Sequence, residues 1–347
     1  MYRRVAAIGL ALVLSAGIAD ARADGAEFTL RLAAINAKTT LSYTDLLVPL
    51  KQALEEKSEG RIELQLGGLG EYGKPAQLLG LLEDGKIEIA STVPGYYGDR
   101  FARTSVFDLP MMFDTAEQGS YATWALYQEG LIAAEFKGFK VLALFPVTPY
   151  GIFSTIPVAN LRDLRGLRVR ASNLTAGQAF NHLAMISLGL TPDAMGPSLT
   201  QGLIDAVSYS YDAAASSPGD GGKMLIEQTK YLVDAGFTGG MSMIIMRQAT
   251  YDALPQELRA ILDGLTGEAL SLRGAKLRDQ WETAARKRIE QQGDHVLISL
   301  SKDERAEMQR RVQPVLDEWV AAMAAKKIDG AALIERVRAI VKQHPAS

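Results

Sequence analysis

The chain has 347 residues, 48% of them hydrophobic and 22% charged, with 37 Lys and Arg against 40 Asp and Glu and a formal net charge of −3. Those fractions describe a globular chain long enough for two ordinary domains, and the charge balance gives no general attraction to nucleic acid or to an anionic membrane. Cysteine is absent, which excludes disulfides, thiolate nucleophiles, iron–sulfur clusters and cysteine-based zinc sites, and with only three histidines (His182, His295 and His344) a histidine-rich metal site is not expected.

Met1-Tyr2-Arg3-Arg4 is short and basic, Val5 to Ala19 is an unbroken run of apolar and small residues, and Ala21-Arg22-Ala23 is a small-x-small cleavage site. This is the three-part plan of a secretory signal, and the apolar run falls short of the about 20 residues that a membrane span needs. The expectation is a signal peptide over 1–23, cleaved after Ala23, and a periplasmic mature protein. With no cysteine at the cleavage point, a lipid anchor is excluded.

Alternation predicts a strand over Phe28–Ala34 and another over Arg61–Leu66. Helical spacing runs from Leu41 to Ser58, a second helix is read from Lys74 to Asp84, stopped at Gly85, and a strand follows over Lys86–Ala90. That β-α-β-α-β order is the pattern of a parallel sheet with covering helices. A helix over about 115–128 and a strand over Lys140–Leu144 close this unit. A second unit carries strands over Tyr150–Ser154, Leu167–Arg170, Ala206–Tyr209, Lys230–Asp234 and Met241–Arg247, with a helix over Thr175–Ser187. Pro255 opens a helical stretch to about Gln292, far above the mean helix of about 11–12 residues and long enough to cross from one domain to the other. Its glycines, Gly264, Gly267 and Gly274, suggest bends or close packing. A strand over His295–Leu300 precedes a helix capped by Ser301, with Glu304 three residues on as a capping box, and helices continue to the end.

Several motifs are weighed and set aside. Gly68-Leu-Gly70-Glu-Tyr-Gly73 matches a dinucleotide-binding loop after a strand, but the acidic residue that should end the next strand is missing, and Ser91 stands there. A tight loop at the rim of a sheet explains those glycines equally well. Pro218-Gly-Asp-Gly-Gly-Lys223 resembles a phosphate loop by composition only, with Met224 where Ser or Thr would bind magnesium. Neither G-x-S-x-G nor H-E-x-x-H occurs, and His182 reads as a packed core histidine. No cofactor and no catalytic group are expected.

One cluster resists a bland reading. Arg165, Arg168 and Arg170 fall around one strand. Arg165 and Arg168 read as surface charges. Arg170 ends the strand just before a helix, where a guanidinium is suited to grip a carboxylate through two bonds.

From these residues the chain resembles the solute-binding proteins of TRAP transporters, the tripartite ATP-independent periplasmic systems. Asp163-Leu-Arg-Gly-Leu-Arg-Val-Arg170 looks like that family's D-L-K-G-L-K-I-R, Gly189-Leu-Thr-Pro192-Asp-Ala-Met195 like its G-A-x-P-x-x-M, and Thr200-Gln-Gly-Leu-Ile-Asp-Ala206 like its L-Q-x-G-x-V-D-G. Glu55-Glu-Lys-Ser-Glu-Gly-Arg-Ile62, Leu109-Pro-Met-Met-Phe113 and Leu254-Pro255 resemble further family stretches. The resemblance implies an α/β fold of two domains around a cleft, the periplasmic binding protein fold, joined by crossing strands and a long domain-spanning helix. It places 24–148 plus about 236–276 in the first domain and 149–235 plus about 277–347 in the second. It implies a ligand carboxylate on Arg170, hinge closure, delivery to separate permease subunits in the membrane, no enzymatic activity, and a monomer rather than a dimer.

Two departures bear on the ligand. Tyr150 stands where many members carry a second arginine, and Tyr209 where many carry asparagine, with Ala206 in place of glycine. Extra polar anchors for a dicarboxylate or sialic acid are therefore missing, and the expected ligand is a monocarboxylate with an apolar or aromatic body. Asn173 is expected to support the arginine, and Tyr72, Tyr96, Phe237 and Thr92 to face the same cleft. The rival readings are an exported ligand-sensing protein and a secreted hydrolase.

Overall fold

The computed structural model describes residues 25–237 and 239–345; the expected signal peptide lies outside them. In chain order the elements are β1 (Phe28–Ala34), α1 (Val48–Lys57), β2 (Ile62–Gly67), α2 (Leu78–Glu83), β3 (Ile89–Thr92), α3 (Ala116–Gln128) and β4 (Phe139–Pro146), then β5 (Gly151–Ser154), β6 (Arg168–Ala171), α4 (Leu174–His182), β7 (Ile186–Gly189), α5 (Pro192–Thr200), β8 (Ala206–Tyr209), α6 (Tyr211–Ser216) and β9 (Tyr231–Asp234). They are followed by β10 (Met241–Arg247), α7 (Gln248–Ala253), α8 (Gln256–Leu265), α9 (Glu268–Gln292), β11 (Val296–Ser299), α10 (Lys302–Ala325) and α11 (Gly330–Gln343).

The strands form two sheets. The first has the order β2-β1-β3-β10-β4, with β1 parallel to β2 and β3, as its β-α-β-α-β sequence predicts, and β10 inserted antiparallel between β3 and β4. In β2, Ile62 and Leu64 are buried and Glu63 and Gln65 exposed, so one face packs and the other meets water. The second sheet has the order β11-β9-β5-β8-β6-β7. Caps set the helix starts where the sequence places them. Thr115 and Gln118 cap α3 reciprocally, as Ser301 and Glu304 cap α10.

Three elements differ from expectation. Strand β10, read with the second unit, lies in the first sheet between β3 and β4, because the chain returns to that half before entering it. The helix read over Thr175–Ser187 ends at His182. Ala184 takes φ +61°, and the chain turns into the short edge strand β7, whose residues are exposed or half-buried. The long helical stretch from Pro255 is present but interrupted at Thr266–Gly267. Gly267 has φ +76° and donates its N–H to the Leu142 carbonyl of β4 at 2.6 Å, starting α9 afresh. Gly274 fulfils the close-packing role, since a Cβ there would lie 2.9 Å from the Phe145 ring.

The chain passes between the sheets three times. Residues 147–150 link β4 to β5, residues 235–240 return from β9 to β10, and α9 crosses a third time. At 1.5 Å per residue α9 spans about 37 Å. It lies against α3 and β4, its Leu270 and Ala275 share the core of the first sheet, and its Ile289 shares the core of Phe153 and Leu232 of the second sheet. Residues 277–347 do not all stay with the second sheet. Leu333, Ile334, Val337 and Ile340 of α11 are buried in the same core as Ala122 and Leu126 of α3, and His344 stacks on Tyr121 at 3.9 Å.

The two strand crossings run in contact. Val147 N–H donates to the Gly240 carbonyl at 2.9 Å, and Phe237 N–H to the Tyr150 carbonyl at 3.0 Å. A Cβ at Gly239 would sit 2.8 Å from the Val147 carbonyl oxygen, and backbone cannot swing aside as a side chain does. Gly239→Val is expected to destabilise the protein by about 1–3 kcal/mol. Gly264→Ala, where the space is open, should keep or raise stability. Urea denaturation of both variants checks this.

Candidate functional site

The ends of the two sheets and α9 enclose a cleft in which about 70 Å³ is open to the centre of a water molecule, a space suited to a compact ligand. Arg170 lies at its heart. It is only 1% exposed, the largest of the most deeply buried side chains. Its strand, β6, lies between β7 and β8, and both neighbours hold the guanidinium. Nε donates to the Leu190 carbonyl just beyond β7 at 2.9 Å, and Nη1 to the Ser208 carbonyl of β8 at 3.1 Å. Its Cζ lies 5.5 Å from the centre of the Tyr209 ring. Among the described residues no acid pairs with Arg170, whereas Arg168, two residues back, is half-exposed and bound to Asp205.

Tyr150 and Tyr209 come together because Gly151 pairs with Tyr209 in the β5–β8 ladder. Their rings meet edge to face, centres 5.7 Å apart, and both line the cleft. Burial pushes the Tyr150 phenol well above its ordinary range, against the pull of Arg170 and Arg278. Tyr96, in the 3₁₀ segment Pro94–Phe101 after β3, lines the opposite wall, and burial pushes its phenol up to about 12. Tyr150 and Tyr96 therefore present neutral hydroxyls, and all three rings offer apolar faces.

The other expected site residues divide. Thr92 lines the cleft, but its hydroxyl is engaged by Tyr97 at 2.8 Å, which itself donates to the Pro75 carbonyl. Asn173 lines the cleft too, yet its Oδ1 accepts from Ala176 N–H at 2.8 Å, so it caps α4 instead of bracing the arginine. Tyr72 is not among the lining residues. It lies over Gly67, where a Cβ would come 2.3 Å from its ring. Phe237 is core, stacked on Phe180 at 5.1 Å. His182 is not a core histidine: it is half-exposed, with Nε2 2.9 Å from Glu318.

Four polar residues of the cleft escape the sequence reading. Arg278 of α9 is 7% exposed, Asp212 2%, Ser210 1% and Asp108 5%. Buried polar atoms normally find partners, at a cost of about 1–3 kcal/mol when they do not. Yet Ser172 Oγ, Ser210 Oγ, Asp212 Oδ1 and Arg278 Nε have none among the described residues. Two signals point to these residues in the sequence. Arg278 falls on the buried stripe of α9 with Ser271, Gly274, Ala275 and Trp281, and Asp108 interrupts the apolar run Val106 to Leu109.

Two α/β lobes with a closed cleft between them, crossed three times by the chain and centred on a buried cation, define a solute receptor. Residues 32–322 match the model of the bacterial extracellular solute-binding protein family 7, DctP, and the chain belongs to that family. Among solved structures it is similar to a TRAP solute-binding protein specific for aromatic acids from an unidentified marine microbe. That structure holds meta-hydroxyphenylacetate, and it matches at 26% identity over 92% of this chain and 100% of that one, with a TM-score of 0.86. It is also similar to one from Rhodoferax ferrireducens T118 with copurified benzoate, at 27% identity over 91% and 98% of the chains, with a TM-score of 0.85. The uncharacterized protein YiiZ of Salmonella typhimurium is 27% identical over 187 residues, 52% of this chain and 55% of that relative's length. Among the described residues no helix is long and apolar enough to cross a membrane.

Asp108 carries a pH prediction. Burial alone raises its carboxyl from 3.8 to about 7. The folded protein then holds a proton that the unfolded chain releases, so stability falls as pH rises from about 4 through 7 and levels off above. Asp108→Asn is expected to be the more stable protein at pH 8, by about 1–3 kcal/mol, with the difference shrinking towards pH 5. Denaturant titrations at the two pH values measure it.

Proposed function

We propose that the protein is the periplasmic receptor of a TRAP transporter, capturing a small monocarboxylate with an apolar or aromatic body and delivering it to membrane permease subunits. The observation that carries this reading is Arg170. A guanidinium with 1% exposure, two backbone carbonyls and no acidic partner among the described residues is incompletely compensated, and a ligand carboxylate supplies the missing charge. Tyr150, Tyr209 and Tyr96 offer ring faces to the body of the ligand, and Tyr150 and Tyr96 add neutral hydroxyls. Two structures similar to this chain hold aromatic carboxylates.

In this reading residues 1–23 are removed on export, and the mature protein works as a monomer without turning its ligand over. The lobes are 24–148 with about 236–276, and 149–235 with the following segment. Helix α11 sides with the first lobe because of its packing on α3. The hinge is made by the two strand crossings and α9.

Isothermal titration with benzoate and succinate tests the proposal. Benzoate is expected to bind, and succinate at least about tenfold more weakly, because the second arginine of the cleft, Arg278, already faces Asp212 and the second carboxylate of succinate would meet that acid. Arg170→Met should weaken benzoate binding by about 2–5 kcal/mol. Without ligand the same variant should melt no lower than the wild type, because a buried, unpaired charge has been replaced by a packed apolar chain. Unchanged affinity in Arg170→Met would remove the site assignment.

A further inference from the structure

The cleft has a second polar end, chemically unlike the first. Arg278 reaches it from α9, and Asp212 and Ser210 from the turn into α6. Arg278 Nη1 and Asp212 Oδ2 are 3.4 Å apart, which leaves the pair electrically balanced but only loosely joined. Three polar atoms here lack partners among the described residues: the donor Nε of Arg278, the acceptor Oδ1 of Asp212, and the Oγ of Ser210, which can act as either. Arg170, Tyr150, Ser210, Asp212 and Arg278 all line this one cavity, so a ligand held by Arg170 shares its space with the second group.

The chemistry limits what can dock at this end. A second carboxylate would take the Arg278 donor but face Asp212. An ammonium group would suit Asp212 but face Arg278. Glu282 lies behind Asp212, accepting its N–H at 3.2 Å, and burial together with the Asp212 charge pushes its carboxyl upward, towards the neutral form. The remaining fit is a neutral group that donates and accepts at one atom, which is a hydroxyl. We infer that Asp212, Arg278 and Ser210 form a hydroxyl-recognising subsite in the same cavity as Arg170, so that the preferred ligand is a hydroxy-substituted aromatic monocarboxylate rather than the unsubstituted acid or a dicarboxylate. This rests on the carboxylate reading of Arg170 and assigns the other end of the same ligand.

The test is titration calorimetry of the mature protein with benzoate, the three hydroxybenzoates, the three hydroxyphenylacetates and isophthalate. It is run on the wild type, on Arg278→Lys, which keeps a cation beside Asp212 but removes Nε–H, and on Asp212→Asn. At least one hydroxylated acid should bind about tenfold or more tightly than its unsubstituted parent, the size of a hydrogen bond to a charged group, and that ratio should fall below threefold in Arg278→Lys. Thermal melts check that each variant is folded, and Ser210→Ala carries the same comparison where another variant fails. The inference is overturned by a wild-type ratio below tenfold for every isomer, by a ratio that survives in the variants, or by isophthalate binding tightest. In each of those cases Arg170-dependent binding of benzoate leaves the carboxylate reading standing. Failure of every acid to bind overturns that reading itself and the subsite with it.

Discussion

A positive charge removed from water with no negative charge beside it is the constraint around which this molecule is arranged. Desolvating an ion costs several kcal/mol even after the protein relaxes. The fold offsets part of that for Arg170 with two carbonyl bonds from the flanking strand segments and one aromatic face. Those bonds engage Nε and Nη1, and no partner is found for Nη2 among the described residues. The clamp therefore fixes the plane of the guanidinium and leaves one edge for an incoming oxygen. A rigidly held donor loses little freedom when the ligand arrives, which favours affinity over mere charge attraction.

The scaffold explains how such a residue is both buried and reachable. Arg170 belongs to the second sheet, whereas the wall carrying Thr92 and Tyr96 follows β3 of the first. Besides the return of the chain to the first half at α11, three connections hold the halves together. Two of them are strand crossings bonded to each other, and the third is a helix packed against both cores. Polar contacts such as Thr39 Oγ1 donating to the Ser216 carbonyl at 3.2 Å bridge the halves near the cleft. A ligand that bonds to both walls adds to these contacts and favours the closed form. Because Arg278 rides on the crossing helix, the second end of the cleft is tied to the same connection.

Much of the fold is written in local patterns. The alternation of β1 and β2 and the capping pairs of α3 and α10 are short-range signals, and the structure follows them. The misread segments are those where long-range contact decides. Strand β7 is a four-residue edge strand with no fully buried residue, too short to stand out from the helix before it, and it is held by backbone pairing with β6. The break at Gly267 follows from its bond to Leu142, more than a hundred residues earlier. The site divides in the same way. Arg170, Tyr150 and Tyr209 are recoverable because they end or flank strands whose pairing is regular. Tyr72 and Phe237 mislead because an aromatic ring near a strand end packs on glycine or on another ring as readily as it faces a cleft. Arg278 and Asp212 meet only through tertiary packing, although an arginine on a buried helical stripe is itself a sign that something must answer it.

A crystal structure of the protein grown with benzoate tests the central claim most directly. The account predicts a closed cleft with a carboxylate oxygen about 2.7–2.9 Å from an Arg170 guanidinium nitrogen and the ring between Tyr150, Tyr209 and Tyr96. A carboxylate bound elsewhere in the cleft, or an Arg170 side chain turned to an acidic residue of the protein, would contradict it.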